Sequence, residues 1–200
     1  MNSRRTLRND PLGAWPMAVG TMDTSEFQTD FDEVLAPVSL DELEELKRGY
    51  ASLIIQLDRL RPKLAAANTH ALVSEGAWSV NETLGHLIDT DQEIWWPRIT
   101  AILGQDRPRF SYIDQKKLVR EKNWQSFPLE DIFAQLARTR WDFAMKLNEI
   151  PEPDFEKTGT HPTLGELSIL RILQLLVAHD AHYLRKIHAM TEHPPDVVPV

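Results

Sequence analysis

The sequence predicts an all-α protein: a four-helix bundle with one long crossover connection, preceded by a poorly structured N-terminal extension. Three observations lead to this. Apolar residues recur at spacings of three and four in four separate stretches. A Ser/Thr-x-x-Glu pattern stands before three of them, where the hydroxyl and the carboxylate each satisfy an otherwise unpaired backbone N–H at a helix start. The second and third stretches are separated by the mixed segment Gln105 to Phe127, which is too long for a tight turn and serves as the crossover.

Residues 1–37 show no sustained period and carry Pro, Gly, Thr and Asp throughout, so they read as a flexible or loosely docked extension, with Met22 as a second candidate start. The bundle domain spans 38–193. Its first helix follows the box Ser39/Glu42 and is traced by Leu43, Leu46, Tyr50, Leu53, Leu57 and Leu60. Gly49 weakens it by about 1 kcal/mol relative to alanine, and Pro62 is expected to kink it or end its regular part. The second helix follows Ser79/Glu82 and stops at Gly104. The third starts near Pro128, with Glu130 and Asp131 well placed for the helix dipole. Leu129, Ile132, Phe133, Leu136, Phe143 and Leu147 form its inner stripe, interrupted by Arg140, and Pro151 and Pro153 end it. The fourth is expected after the box Thr163/Glu166 and runs to about Met190; residues 194–200 are a proline-rich, extended tail. No strand pair and no Gly-rich phosphate loop are evident.

Composition narrows the function. A chain of 200 residues can bury a sizeable core without outside staples. It has no cysteine, which excludes a disulfide framework, a thiolate metal site and a cysteine nucleophile, and fits a cytoplasmic location. The net charge of -8 repels phosphate backbones, so no nucleic-acid partner is expected. No apolar run reaches membrane-spanning length, so no membrane partner is expected either.

Of the seven histidines, His70, His161, His188 and His193 fall in loops or at positions expected to be exposed. His86, His179 and His182 fall within helices. In the second helix, Val80, Leu84, Ile88, Trp95 and Ile102 form one side, while Glu82, His86, Asp89 and Glu93 form a narrow polar stripe on the other. That stripe has two readings. It is a wet face, as charged stripes usually are, or it faces the interior and supplies a ligand with a carboxylate to hold it. In the fourth helix, His179 lies on the shoulder of an apolar face that includes Leu176 and Tyr183. Spacing alone gives a weak metal signal. A carboxylate-bridged di-metal bundle would need two Glu-x-x-His motifs, and neither helix has one.

The run Trp78-Ser79-Val80-Asn81-Glu82-Thr83-Leu84-Gly85-His86-Leu87-Ile88-Asp89 resembles the second-helix signature of the DinB/YfiT-like superfamily. The stretch from His161 to Ser168 is similar to that family's lead-in to the last helix, and His179-Asp180-Ala181-His182-Tyr183-Leu184-Arg185-Lys186-Ile187 resembles its final motif. The resemblance covers roughly Ser39 to Ala189. It implies a four-helix bundle with a three-histidine site. His86 and His179 match two of the ligands, Tyr183 takes the place of the third, and His182 stands one residue early. Three outcomes are open: His182 reaches the metal, Tyr183 ligates as a phenolate, or the site is degenerate and binds metal weakly or not at all. The resemblance further implies a divalent cation, zinc or nickel, and a metal-dependent thiol (S-)transferase acting on a small-molecule thiol and an electrophilic substrate. It also makes a homodimer plausible by analogy. The alternative is a non-catalytic helical domain, working through dimerisation or a partner, that has lost its metal.

Overall fold

The computed structural model describes residues 37–72 and 77–192. The extension read over 1–37 (Pro37 apart), the start at Met22, His193 and the tail read over 194–200 lie outside these residues. The first rod is a short 3-10 turn, Leu40–Glu42, leading into α1, Leu43–Ala66. The Glu42 carboxylate accepts the Ser39 N–H at 3.0 Å, as its box predicts. α1 continues through Pro62 to Ala66 rather than ending there.

The second rod is continuous but not uniform. α2, Val80–Thr90, is followed by a π-helical turn, Asp91–Trp95, and then by α3, Trp96–Gly104. Its start has a complete capping box: Glu82 N–H donates to Ser79 Oγ at 3.2 Å, and Ser79 N–H donates to Glu82 Oε2 at 2.8 Å. The crossover carries α4, Gln115–Lys122, and a 3-10 turn, Trp124–Ser126. The third rod is α5, Leu129–Glu149, and the fourth is α6, Ile169–Glu192. α1 packs on α6 and α5, while α2 packs on α5 and α6, which closes the four-helix bundle. Among the described residues, no helix is long and apolar enough to cross a membrane.

The segment before the last helix overturns three expectations. A strand pair is present: β1, Thr158–His161, pairs antiparallel with β2, Gly165–Ser168, and His161 lies opposite Gly165. The Thr163/Glu166 pattern therefore lies in a hairpin, not at a helix start. Gly165 takes φ +73°, the left-handed conformation that such a hairpin loop needs. The Thr163 and Leu164 N–H groups donate to His161 Nδ1 at 3.3 and 3.2 Å. His161 is thus buried and holds the turn, contrary to its expected exposure. Helix α6 begins at Ile169, beyond the hairpin, with Ser168 Oγ accepting the Arg171 N–H at 3.0 Å.

The core forms two apolar clusters along the bundle. One holds Leu43, Tyr50, Trp95, Ile99, Phe143, Phe155 and Ile172; the other holds Leu57, Leu84, Ile88, Trp124, Ile132, Tyr183 and Ile187. Buried polar side chains from α2, the π turn, α5 and α6 lie close to residues of both.

Candidate metal centre

His86 on α2 and His179 on α6 are fully buried, each 0% exposed, and their Nε2 atoms stand 3.1 Å apart. The wet-face reading of the stripe on the second helix therefore does not hold at His86 and Asp89, which are both buried; it holds at Glu93, which is exposed. Burial lowers the pKa of His86, and the neighbouring His179 and Lys186 lower it further. Burial also lowers His179, although Asp180 opposes it. Both rings are therefore neutral near pH 7, with one Nε2–H donating to the lone pair of the other.

The walls are aromatic. The Tyr183 ring centre lies 4.7 Å from that of His86 and 4.8 Å from that of His179. Trp78 lies 4.6 Å from His86, and Trp95 meets His179 edge-on at 5.8 Å. A straight 3.6-residue helix would place Trp95 opposite His86. The π turn accommodates an extra residue and rotates the later part of the rod by about 100°, which brings the indole round to the pair. No sequence pattern signals that turn.

Of the two candidates for a third ligand, Tyr183 is inward and His182 is half-buried, its ring edge-on to Tyr183 at 5.0 Å. Burial raises the Tyr183 pKa, so the side chain stands as a neutral phenol. Burial lowers His182 to about 4, with His179 and Lys186 contributing. Among the described residues, no group of three His, Asp or Glu side chains is gathered to hold a metal ion.

A charged network lies behind His179. Asp180 Oδ1 is 3.6 Å from His179 Nδ1. Arg140 grips Asp180 with both terminal nitrogens, Nη2 at 2.9 Å from Oδ1 and Nη1 on Oδ2. Arg140 Nε also lies 2.8 Å from Asp91 Oδ2, which accepts the Tyr50 hydroxyl at 3.1 Å. Burial alone would lower Arg140, but Asp180 and Asp91 more than reverse this and keep it charged. Burial pushes Asp91 up, with Arg140 opposing. Arg140, an interruption by periodicity, is the counter-ion of this layer. On the α2 side, the Trp124 indole N–H donates to Asp89 Oδ2 at 2.7 Å. His86 Nδ1 has no hydrogen-bond partner among the described residues.

The two imidazoles fit a divalent cation. Ligands on one zinc ion at about 2.0–2.1 Å sit roughly 3–3.5 Å from each other, and the observed separation is 3.1 Å. Neutral, buried rings are the ligating form, and Asp180 is placed to hold the Nδ1–H of His179.

A sequence model of the DinB superfamily matches residues 23–187. The chain belongs to the DinB superfamily. Among DinB-like relatives, the Oceanobacillus iheyensis protein named "Putative metal-dependent hydrolase OB0782" is 19% identical over 165 residues, which are 82% of this chain and 91% of that protein. The solved structure of YfiT from Bacillus subtilis, titled "a probable metal-dependent hydrolase with an unusual four-helix bundle topology", superposes with a TM-score of 0.70 at 17% identity. The match covers 79% of this chain and 90% of YfiT, and it shows the shared fold.

Proposed function

We propose that this DinB-superfamily chain binds one divalent cation between His86 and His179 and uses it to activate a nucleophile brought from outside the chain. The observation that carries this is the 3.1 Å approach of two buried, neutral Nε2 atoms from different helices. The metal-dependent names carried by the two relatives support it. Zinc and nickel both suit imidazole donors. Such an ion supplies Lewis-acid chemistry, drawing the pKa of a water or a thiol towards neutrality.

The chain's own residues orient and enclose. Arg140 fixes Asp180, whose Oδ1 lies 3.6 Å from His179 Nδ1 and favours the tautomer that turns the Nε2 lone pair towards His86. Tyr183, Trp78 and Trp95 wall the pair with rings, while Lys186 lies over the Trp78 and Tyr183 rings at 5.6 and 5.7 Å. We favour Tyr183 over His182 as the third ligand because its ring faces both imidazoles, and as a buried phenol it would make the site weaker than a three-imidazole one. The chain has no cysteine, so a thiol nucleophile would be a small molecule. Transfer of that thiol to an electrophile is the reaction we favour; hydrolysis, the activity in the relatives' names, differs only in using water. The bland alternative is a hydrogen-bonded histidine pair inside a domain that dimerises or binds a partner through the exposed Trp141 and Met145 of α5.

Metal analysis of the purified protein, followed by zinc and nickel titration calorimetry, separates these readings. Near-stoichiometric binding in the wild type that is lost in His86→Ala supports the metal site. Equal binding by both proteins removes it. Turnover assays on the loaded protein, with and without a small thiol, then distinguish transfer from hydrolysis.

A further inference from the structure

Two guanidinium groups, one buried and one half-buried, are treated differently by the bundle. Arg140 has two carboxylates. Arg98, half-buried on α3, has rings instead: its guanidinium carbon lies 5.9 Å from the centre of Trp95 and 5.5 Å from that of Phe110. In a chain with 30 acidic residues, no carboxylate among the described residues pairs with it. Burial lowers its pKa to about 10, with no neighbouring charge opposing the shift. Half-buried against rings, Arg98 gives up part of its hydration with no carboxylate to offset the loss.

A second donor beside it is also unmet. Trp95 is only 6% exposed, and its indole Nε1 has no hydrogen-bond partner among the described residues. Buried indole N–H groups ordinarily find acceptors. Trp95 and Arg98 are one turn apart, and Trp95 is the residue that the π turn brings against His179. The second ring against Arg98 is also held in place. The Phe110 N–H donates to the Thr160 carbonyl at 2.9 Å. Phe110 fits there because β1 has glycine at 159, where a Cβ would stand 2.5 Å from Phe110 Cζ. The strand pair thus holds the ring on which Arg98 lies.

We propose that Arg98 and the Trp95 indole N–H form an oxyanion-recognition subsite beside the histidine pair, selecting a substrate that carries a carboxylate or phosphate group. Arg98 supplies the fixed charge and the forked donors suited to an oxyanion, and Trp95 supplies a directional donor. The placement of this subsite next to the reacting group rests on the metal-site reading; the binding of an oxyanion does not.

The test is therefore made on metal-free, full-length protein. Indole N–H resonances are followed by ¹H–¹⁵N correlation spectroscopy, with the Trp95 signal assigned from Trp95→Phe. Sodium acetate and inorganic phosphate are titrated at constant ionic strength against chloride. The proposal expects a saturable shift of the Trp95 signal with at least one oxyanion, weakened at least tenfold in Arg98→Gln, partly restored in Arg98→Lys and kept in His86→Ala. Whichever oxyanion saturates at lower concentration names the class. No saturable shift in the wild type overturns the proposal. So does a shift that survives Arg98→Gln but disappears in His86→Ala, because the anion would then sit on the histidines. Metal binding that fails in the calorimetry while this shift persists removes the metal reading and leaves the subsite.

Discussion

Gly85→Ala places two effects of opposite sign in one residue. Gly85 lies within α2, next to His86. On helix propensity alone, alanine should stabilise by about 1 kcal/mol. The structure says otherwise: a Cβ at 85 would stand 2.1 Å from Trp124 Cγ and 2.3 Å from both Cδ1 and Cδ2. Contacts with the rigid base of an indole cannot be relieved by a small rotation, so Trp124 must shift. Trp124 is buried, and its N–H is the donor to Asp89. Overpacking costs about 1–3 kcal/mol, and losing a hydrogen bond to a carboxylate costs about 1.5–3 kcal/mol. Set against the propensity gain, the net loss is about 1.5–5 kcal/mol. Urea denaturation followed by circular dichroism should show this as a midpoint lowered by roughly 0.8–2.5 M, taking a slope of about 2 kcal/mol/M. In a Trp124→Ala background the same substitution should instead be neutral or stabilising by about 1 kcal/mol. A midpoint that stays or rises in the wild-type background would refute the packing argument.

The polar layer yields further expected outcomes. Arg140→Met leaves Asp91 and Asp180 buried without their cation and should cost about 3–5 kcal/mol in the same assay; a loss under about 1 kcal/mol would show that the network is not a buried ion cluster. Asp180→Asn loosens the hold on His179 Nδ1 and should weaken zinc binding about 10–100-fold by calorimetry, whereas an unchanged Kd would remove Asp180 from the site. Tyr183→Phe should weaken zinc binding more than His182→Ala does, and the reverse order would make His182 the third ligand. Burial raises the Asp89 pKa to about 6, against hydrogen bonding from Trp124. Its folded pKa thus exceeds the unfolded value of about 3.9, so its stabilising contribution is present below about pH 4 and lost as pH rises through about 6. Asp89→Asn should accordingly gain stability over the wild type at pH 7.5 but not at pH 4.5, and a pH-independent difference would contradict the assignment.

The four rods are legible in the sequence because their signals are local. Boxes at Ser39 and Ser79, the glycine at 104 and the Leu-rich stripes act within a few residues. The hidden features depend on contacts distant in the chain or on backbone geometry that no residue pattern encodes. Thr163-x-x-Glu166 has the form of a helix start, yet the Thr163 and Leu164 N–H groups are taken by His161 Nδ1, and the left-handed Gly165 closes a hairpin instead. The burial of His161 has the same cause. The polar stripe at Glu82, His86 and Asp89 is ambiguous by itself, and only the approach of α6, which brings His179 onto it, decides its direction. Arg140 looks like a flaw in an apolar stripe because its carboxylates, Asp91 and Asp180, lie 49 and 40 residues away in the chain. Trp95 and Arg98 are hidden by the π turn, since a fixed period of 3.6 misplaces every later residue of that rod by about 100°.

Zinc-edge X-ray absorption on protein loaded with one equivalent of metal examines the central claim most directly. Two imidazole ligands at about 2.0–2.1 Å, with one lost in His86→Ala and one in His179→Ala, is the predicted spectrum. An oxygen-only shell that neither substitution alters would mean that the two rings meet in the bundle without a metal to share.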